Sequence, residues 1–546
     1  MLTQKACLAI VVQACHWAYN AAIMALPPLT IFNVLLAATP LLLVLYLMIG
    51  RHWGGEKAGP AGWLAALLIA IFAFGANGQL LVVAFGRALL LSMFVLYIIW
   101  MALLLYNVVN EAGAIKVIGQ ELPGVAPDRP GQALLIAWLF GSFLQGASGF
   151  GVPAAVAAPL LVGLGFQANI AVAAALVGHA WAVTFGSLGS SFISLIAATG
   201  LPGEELASAA ALMLAVCCLG CGLAVLWAAG GRAALRRRWV FLLVLSVVMG
   251  GMQWALAVAG FWTLAAMGAG LVGLLVGIAE FRYSIFDLGF LRYRGSERRV
   301  AARLDWPRLS KALAPYLILV VVIVLGQLAF DKPLNVVKLN LNFPAVMTSF
   351  GWETPAGTGR SISLFGHAGA LLLYASGLSY LWFHWRGTLQ TDHPYRGRVI
   401  VRKTVRGSVK STISVVALVA MALVMEHAGM TQLLANALSQ NTGALFPFIS
   451  PFIGALGAFM TGSNTNSNVV FGQLQLQTAN ALQLSVAVIL AAQTAGGAIG
   501  SSFAPAKVVV GCSTVHGADD GQVLKLATLY GLGIITVVGV LAMIFS

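Results

Sequence analysis

Charged residues are scarce in this chain, because only 8% of its 546 residues are Asp, Glu, Lys or Arg. Soluble domains carry roughly 25% charged residues, whereas 60% of this chain is hydrophobic. Many apolar runs approach or exceed the ~20 residues that cross a bilayer as a helix. The composition therefore excludes a soluble globular protein and predicts an all-α polytopic membrane protein.

Acidic residues are fewer still, with 16 Asp and Glu against 30 Lys and Arg, so the formal net charge is +14. The basic residues cluster between apolar segments instead of forming one continuous patch. Cytoplasmic loops beside anionic lipid headgroups have this distribution. We therefore expect the lipid bilayer as a partner and no nucleic acid.

Motifs for energy-converting or covalent chemistry are also lacking. The chain has no Gly-rich loop followed by Lys-Ser or Lys-Thr, no His-x-x-His and no Gly-x-Ser-x-Gly. The pair Cys218 and Cys221 lies in the apolar run 212–226 without a second pair of ligands, which favours helix packing over a metal site. We expect neither an ATP-driven pump nor an enzyme, and no cofactor or bound metal.

Basic clusters at 232–238, 282–311 and 386–410 divide the middle of the chain. Two apolar segments separate each successive pair of clusters: 239–258 and 261–280, then 312–330 and 361–385. An even number of spans allows all three clusters to be cytoplasmic, and Arg51 and Lys57 fit the same side.

One polar segment occurs twice within hydrophobic surroundings. Gly141, Phe143 and Gly146 return as Gly457, Phe459 and Gly462 at a spacing of 316 residues, and Ala112-Gly113 returns as Ala428-Gly429 at the same spacing. Gly, Ser, Asn and Pro are poor material for an uninterrupted membrane helix. Paired interrupted segments of this kind point to the binding site of a transporter.

Span counting assigns opposite orientations to the two copies. From Arg51 inside, segments 61–86 and 88–111 run outward and back, so a re-entrant hairpin at 132–166 enters from the inside. Segment 411–430 runs outward, so the hairpin at 444–478 enters from the outside. The sequence thus predicts an inverted repeat, and this assignment requires a short external turn at Arg87.

The predicted organisation has about 11–12 spans plus two hairpins. Residues 29–231 form repeat 1, residues 411–546 form repeat 2, and residues 232–410 hold intervening spans and basic loops. Segments 239–385 would be a scaffold or the surface of a homodimer. The N-terminal apolar segment 1–28 is an additional span, an interfacial helix or a poorly conserved start of the chain.

A second polar element follows each hairpin, since Gly189-Ser-Ser-Phe192 recurs as Gly500-Ser-Ser-Phe503. Gly and Ser can release helical backbone groups at membrane depth, or they can permit close helix packing. Two copies, each after a hairpin, favour a broken helix at the binding site.

Half-helices that begin inside a membrane attract anions, because their first N–H groups are unpaired and carry the positive end of the helix dipole. Gly149 and Gly151 permit the reversal of the first hairpin, and Pro153 can begin its second half-helix. The predicted substrate-binding residues are Gln145, Gly146, Ser148, Gly149, Gly151, Ser190, Ser191, Thr461, Ser463, Asn464, Thr465, Asn466, Ser467, Asn468, Ser501, Ser502 and Lys507.

The segments 141–166, 459–471 and 491–500 resemble the signature regions of the L-lactate permease family, and the resemblance extends over about 29–546. It implies a permease of the bacterial cytoplasmic membrane that imports small monocarboxylates, lactate and glycolate, with protons. It also implies a fold of two inverted repeats with re-entrant hairpins.

Three departures from the family pattern change the charge of the predicted site. Gln145 stands where the family has Glu, Asn464 where it has Asp, and Ala504-Pro-Ala-Lys507 where it has Ser-Pro-Gln-Ser. The site is therefore more positive than in typical members. A small organic anion is the predicted substrate, with dicarboxylates and sulfonates as alternatives to lactate or glycolate.

The coupling ion is H+ or Na+, because unwound carbonyls with Ser, Thr and Asn oxygens can bind Na+ without carboxylates. The proton candidates are Glu111, His179, Glu426 and His427. Each has a structural alternative, since the acids stand at segment ends and His179 can be a satisfied buried histidine. Lys507 either contacts substrate or extends to the cytoplasmic interface.

The mechanism expected from these features is secondary active transport by alternating access. An anion channel of the same architecture is the alternative function.

Overall fold

The computed structural model describes residues 26–51, 53–126, 128–149, 151–283, 305–389 and 395–546. These residues contain ten helices that are long and apolar enough to cross a membrane, or eleven if the bent pair within 168–199 counts as one span. The prediction of a polytopic helical membrane protein is confirmed. The N-terminal segment 1–28 lies outside the described residues, except for 26–28.

The first half of the chain is a series of helices up to the second basic cluster. In chain order they are α1 (Ile31–Ile49), α2 (Gly55–Ala73), α3 (Gly78–Glu111), α4 (Ala114–Glu121), α5 (Arg129–Ala133), a π-helix (Leu134–Phe140), α6 (Gly141–Ala147), α7 (Val152–Gly163), α8 (Ala168–Gly178), a 3-10 turn (Ala180–Ala182), α9 (Gly186–Thr199), α10 (Gly203–Val258) and α11 (Ala265–Tyr283).

The second half follows the same order of long helix, short helix, hairpin and interrupted helix. Its helices are α12 (Trp306–Leu328), α13 (Asp331–Leu334), α14 (Ala368–Arg386), α15 (Gly397–His427), α16 (Met430–Thr442), a 3-10 turn (Gly443–Leu445), α17 (Phe446–Thr461), α18 (Asn464–Ala481), α19 (Val486–Gly500), a 3-10 turn (Ser501–Phe503), α20 (Pro505–Ser513) and α21 (Asp520–Phe545).

The ends of α3 and α15 have the same capping geometry. The cap N–H of Ala112 bonds to the carbonyls of residues 108 and 110, and that of Ala428 bonds to those of 424 and 426. Gly113 and Gly429 then adopt φ of +80° and +79°, a left-handed conformation that favours glycine. A short helix follows each of these glycines.

The two long helices α3 and α15 pack antiparallel. Trp100 donates to Thr412 at 2.9 Å, and Asn107, further along α3, donates to Thr404, earlier in α15, at 3.0 Å. Antiparallel packing of helices that occupy the same place in the two halves supports an inverted relation. The inverted repeat and the predicted repeat boundaries stay predictions.

Both predicted hairpins consist of two helical legs joined by a break. In the first, Arg129 at the start of one leg donates to the carbonyl of Gly165, just beyond the other leg. In the second, Gln475 of α18 reaches the Ser450 carbonyl of α17 at 3.0 Å, and Ser467 reaches the Gly454 carbonyl at 2.7 Å. Antiparallel legs with adjacent ends are the geometry of a re-entrant hairpin.

The buried core surrounds the first hairpin. Every residue of the π-helix Leu134–Phe140 is buried, as are Trp181 and Phe192 of the broken helix that follows. Gly178 allows α8 to pack closely against the π-helix, because a Cβ at this position would collide with the backbone of Ala137. This packing holds the break of the hairpin in place beside the break of α8 and α9.

The predicted external turn at Arg87 is wrong. Helix α3 is continuous from Gly78 to Glu111, and the turn lies at 74–77, where Gly75 has φ +68° and the Asn77 side chain caps Leu80. Arg87 lies inside the helix and donates to the Pro355 carbonyl at 3.1 Å. A single charge inside an apolar run is therefore not a sufficient turn signal when a loop of the protein covers it.

The described residues also contain one non-helical element, which the sequence analysis did not predict. Residues 338–363 form an antiparallel ribbon of six short strands, in which β1 (Lys338–Leu339), β2 (Asn342–Phe343) and β3 (Val346–Met347) pair with β6 (Ile362–Ser363), β5 (Gly357–Thr358) and β4 (Glu353–Thr354). The predicted span 361–385 therefore begins later, at Ala368, after a cap from His367. By span parity the ribbon lies on the face opposite the basic clusters.

The basic clusters differ from simple loops. Helix α10 passes through the first cluster with a break at Gly230 and Gly231, and Asp128 pairs there with Arg238 at 2.8 Å. The third cluster is helical from Gly397 onward. Residues 284–304 of the second cluster lie outside the described residues.

Candidate binding site at the hairpin tips

A cavity of about 740 Å³ lies between the tips of the two hairpins. It extends along 53–56 and 407–415, so its mouth lies beside the basic residue Lys410 and the acidic residue Glu56, whose charged atoms are 4.0 Å apart. These segments belong to the face that carries the basic clusters. The cavity therefore reaches from the hairpin tips toward the predicted cytoplasmic side.

Four half-helices begin at this cavity. Two are the second legs of the hairpins, α7 and α18, and two are the second halves of the broken helices, α9 after its break and α20. The residues of their first turns that line the cavity are Gly151 and Val152, Ser190 and Ser191, Asn464 to Asn466, and Pro505 to Lys507. Four positive dipole ends thus surround one space, which favours an anion there.

The tip of the first hairpin is built on backbone. Gly149 and Gly151 have φ of +66° and +84°, and α7 begins without a side-chain cap. A Cβ at Gly149 would collide with the Ser187 hydroxyl of the broken helix. Glycine is therefore required there both by the backbone conformation and by close approach. Among the described residues of this hairpin, Gln145, Gly151 and Val152 line the cavity.

Gly146 has a different role from the one its predicted place in the site implied. It has ordinary helical geometry within α6 and does not line the cavity. A Cβ at Gly146 would collide with the backbone of Met267 at the start of α11. This glycine permits close packing behind the hairpin.

The tip of the second hairpin is built on side chains. The turn is limited to Gly462, with φ +68°, and Ser463, whose hydroxyl caps Asn466. Asn464 donates its amide to the Thr184 hydroxyl of the first broken helix at 3.1 Å and to the Thr494 carbonyl of the second at 3.1 Å. The tip is therefore bonded to both broken helices, at the break of the first and within α19 of the second.

Three buried amide oxygens at or near the cavity lack a hydrogen-bond donor among the described residues. They belong to Gln145 and Asn464, which line the cavity, and to Asn468 one turn behind. The amide nitrogen of Asn468 donates to the Ser191 carbonyl and to the Thr494 hydroxyl, both at 2.9 Å. Buried acceptors are normally satisfied, so these oxygens have unused hydrogen-bonding capacity beside the cavity.

Lys507 brings the one predicted positive side chain to the site. Its ammonium donates to the Ser501 hydroxyl at 3.0 Å, inside the break between α19 and α20, and the residue lines the cavity. Within the described parts of the chain, no carboxylate lies within ion-pair distance of this ammonium. Lys507 is half-buried, so its charge is partly removed from solvent without a counter-charge, and an anion in the cavity would offset that cost.

Of the predicted substrate-binding residues, ten line the cavity: Gln145, Gly151, Ser190, Ser191, Thr461, Ser463, Asn464, Thr465, Asn466 and Lys507. Seven do not: Gly146, Ser148, Gly149, Ser467, Asn468, Ser501 and Ser502. Most of the seven stabilise the breaks instead. The hydroxyls of Ser148, Ser467 and Ser502, for example, donate to backbone carbonyls at 2.7 to 2.8 Å.

The repeated Gly-Ser-Ser-Phe element occupies different places in the two broken helices. In the first, Gly189 has φ +77° and the helix resumes at the following serine. In the second, Gly500 ends α19, and the new helix begins only at Pro505. The spacing of 316 residues between the hairpins instead relates Ser191 to Lys507, and both line the cavity.

The four proton candidates lie away from the cavity. Glu111 forms an ion pair with Lys403 at the end of α3. His179 and His427 each bond through Nδ1 to the carbonyl four residues earlier, at 2.6 and 2.8 Å, while their Nε2 atoms have no partner in the described regions. Glu426 accepts from Gln473 of the second hairpin at 3.3 Å and interacts electrostatically with Arg87.

Sequence reasoning missed a serine face that lines the cavity. Ser408, Ser411 and Ser414 follow one another at three-residue spacing along α15, next to Lys410, and Tyr106 of α3 also lines the cavity. The spacing places these hydroxyls on neighbouring positions of one helix face. That regular polar spacing at the start of an apolar helix was the available signal. Ser187, in the break, was missed as well.

The sequence matches the L-lactate permease family over residues 33–546. An L-lactate permease of Bacillus subtilis (strain 168) is 26% identical over 530 residues, which are 89% of this chain and 90% of the relative. Glycolate permease GlcA of Escherichia coli (strain K12) is 25% identical over 560 residues, 94% of this chain and 95% of the relative.

Among solved structures, the YdaH transporter of Alcanivorax borkumensis aligns over 82% of this chain and 84% of its own, with a TM-score of 0.43 and 11% identity. That similarity is too low to carry an argument about the site. The family match covers nearly the whole chain. The chain therefore belongs to the L-lactate permease family, a family of membrane permeases, and is a multi-pass protein of the bacterial inner membrane.

Proposed function

We propose that this protein is a secondary active transporter of small organic anions, with 2-hydroxy monocarboxylates such as lactate and glycolate as the leading substrates. The observation that carries the proposal is the Lys507 ammonium, which lines the cavity among four helix N-termini and has no carboxylate partner in the described residues. Relatives named as lactate and glycolate permeases support the substrate class.

Binding uses two kinds of contact. The substrate carboxylate lies at Lys507 and accepts from the first-turn N–H groups of the half-helices, because these positions supply positive charge and unpaired donors. The substrate hydroxyl donates to the free amide oxygen of Asn464 or Gln145. A 2-hydroxy acid satisfies both requirements, whereas an acid without the hydroxyl leaves these oxygens unpaired.

Coupling requires a cation that moves with the anion. We assign a proton to Glu426, because this carboxyl group is held by Gln473 of the second hairpin and lies near Arg87 of α3. Loss of its charge would change the contact between a hairpin and the neighbouring helix. Na+ is the alternative ion, and the free oxygen of Asn468 beside the break supports it.

Alternating access follows if the hairpins and broken helices move together against α3 and α15. The cavity reaches the face of the basic clusters, so this conformation is the inward-facing one. Asn464 and Asn468 bond the second hairpin to both broken helices. These bonds connect the hairpin and the broken helices as one moving unit.

Transport by purified protein in proteoliposomes tests this function. L-lactate, glycolate, propionate, a small dicarboxylate and a small sulfonate are compared under separate H+ and Na+ gradients. We expect concentrative uptake of 2-hydroxy acids under one gradient and weaker uptake of propionate. Counterflow of labelled substrate should occur, since a carrier exchanges and a channel does not. Uptake that never exceeds equilibrium, together with absent counterflow, would assign a channel.

A further inference from the structure

A second cavity, of about 290 Å³, lies on the opposite face of the protein. It is enclosed by α3, by the second half of α9, by the turn before α11 and by the ribbon segment that precedes α14. The ribbon connects the outer ends of α12 and α14, so this cavity faces the extracytoplasmic side. None of the substrate-binding residues predicted from the sequence belongs to it.

Positive charge lines this outer cavity without an acidic partner. Arg360 places its guanidinium 4.7 Å from the centre of the Phe94 ring, and Lys338 lies exposed at the rim. Among the described residues, no carboxylate lines the cavity, and none lies within ion-pair distance of Arg360. Asp331, the carboxylate bonded to the lining residue Asn335 at 2.8 Å, stays outside it. A guanidinium stacked on a ring keeps its N–H edge available for a carboxylate.

His367 adds a buried donor that has no acceptor. Its side chain is 6% exposed, and its Nδ1 accepts from the Gly369 N–H at 3.1 Å. An accepting Nδ1 places the proton of the neutral ring on Nε2, and Nε2 has no partner within the described structure. The Tyr97 ring stacks on the imidazole at 5.0 Å and fixes its orientation. An acceptor is therefore missing beside Arg360.

The outer cavity is separated from the central one by a thin layer. On α9, Ile193 lines the outer cavity and Ser190 lines the central one, a separation of about 5 Å along the helix axis. On α3, Ile98 faces the outer cavity and Ile99 the central one. The two cavities therefore contact the same two helices at neighbouring residues.

We propose that the outer cavity is a second carboxylate subsite, in which Arg360 and His367 capture the anion from the extracytoplasmic side before it passes to the hairpin tips. The guanidinium binds the carboxylate, His367 Nε2 donates to it, and Lys338 raises the local anion concentration. The identity of the ligand rests on the proposed function. The existence of the subsite does not, and it can be tested separately.

The test compares transport from the two sides in the full-length protein. Arg360→Gln should raise the KM for L-lactate uptake into intact cells about tenfold, as expected when one charge-assisted contact is lost. The KM measured from the cytoplasmic side, in inside-out vesicles, should stay unchanged. Lys332→Gln, which removes a neighbouring exposed charge outside the cavity, is the matched control, and Arg360→Lys should have an intermediate effect.

A binding measurement on purified variants is the second part of the test. Titration calorimetry with L-lactate should show weak residual binding to purified Lys507→Gln, and Arg360→Gln in addition should abolish it. The proposal is overturned if Arg360→Gln behaves like Lys332→Gln, if KM rises equally from both sides, or if Lys507→Gln retains no binding. If the wild type transports no carboxylate, the proposed function fails, while residual binding that depends on Arg360 still supports the subsite.

Discussion

The two hairpin tips line one cavity but consist of different types of residue. The first tip has left-handed glycines at Gly149 and Gly151, and its described residues contribute Gln145, Gly151 and Val152 to the cavity. The second reverses within Gly462 and Ser463 and presents a turn of amide and hydroxyl side chains, of which Asn464 is bonded to both broken helices. Two hairpins of similar form thus contribute different chemical groups to one cavity.

The broken helices differ in the same way. Ser191 and Lys507 occupy positions related by the spacing of the repeat, and both line the cavity. Ser191 shares a hydrogen bond with Thr465 of the second hairpin at 3.0 Å, whereas Lys507 presents a charge. The second half of the first broken helix thus presents a hydroxyl to the cavity, and that of the second presents a charge.

The largest effect is expected from the glycine tip. Gly149→Val should abolish uptake, because a β-branched residue is strained at φ +66° and its Cβ would collide with Ser187. Gly163→Val lies at the other end of the same hairpin and is the control. A side chain there would have no neighbour within 4 Å and the backbone is helical, so this variant should retain uptake. Uptake and membrane insertion are measured for both variants. Full activity of Gly149→Val would remove the glycine tip from the site.

The charge of the second repeat should give the next largest effect. Lys507→Gln should weaken substrate binding at least tenfold, since loss of a buried charge partner costs about 2–5 kcal/mol. Lys525→Gln, an exposed charge on α21, is the control and should bind normally. Calorimetric titration of the purified variants with the substrate found by the transport screen measures both. Equal affinities would show that the ammonium does not contact the anion.

The sequence predicted structure well at positions where only a few residue types can satisfy the local backbone geometry. Breaks inside a membrane need Gly, Pro, Ser and Asn, and these located both hairpins and both broken helices. Paired capping glycines at 113 and 429 marked the ends of the long helices. Helix continuity at Arg87 was not predictable, because the loop that satisfies this charge is far away in sequence.

The division of labour within the polar segments also required coordinates. Ser148 and Ser191 are both serines beside a break, yet one donates to its own helix at 2.8 Å and the other lines the cavity. Periodicity cannot separate these roles where the helix is interrupted. Arg87, Glu426 and Gln473 come from three segments that are distant in sequence. No local sequence pattern predicts that they cluster.

The coupling residue provides a third test, with an intermediate effect. Glu426→Gln should retain counterflow, which needs no net proton movement, but lose most of the uptake driven by a proton gradient. Glu111→Gln, which removes only the ion pair with Lys403 at the end of α3, should keep the coupling. Parallel counterflow and gradient-driven assays distinguish the two variants. Unchanged proton-driven accumulation by Glu426→Gln would contradict the assignment of the proton to Glu426 and would favour Na+ as the coupling ion.

The smallest effect on substrate affinity is expected from a substitution of Gln145, the cavity-lining amide of the first hairpin. Gln145→Glu adds a negative charge to the cavity that holds Lys507, so substrate affinity at neutral pH should fall several-fold. Protonation of the new carboxyl removes that charge, so the loss should diminish as the pH is lowered. Binding measured across a pH series tests the sign, with Gln132→Glu, at the base of the hairpin, as the control. A pH profile identical to that of the wild type would show that residue 145 does not sense the anion.

The most direct measurement is a cryo-electron microscopy structure of the full-length protein in lipid nanodiscs at saturating substrate. We expect a carboxylate within hydrogen-bond distance of Lys507 Nζ, between the two hairpin tips at Gly151 and at Ser463. Substrate density elsewhere, or a helix that runs unbroken through either tip, would contradict it.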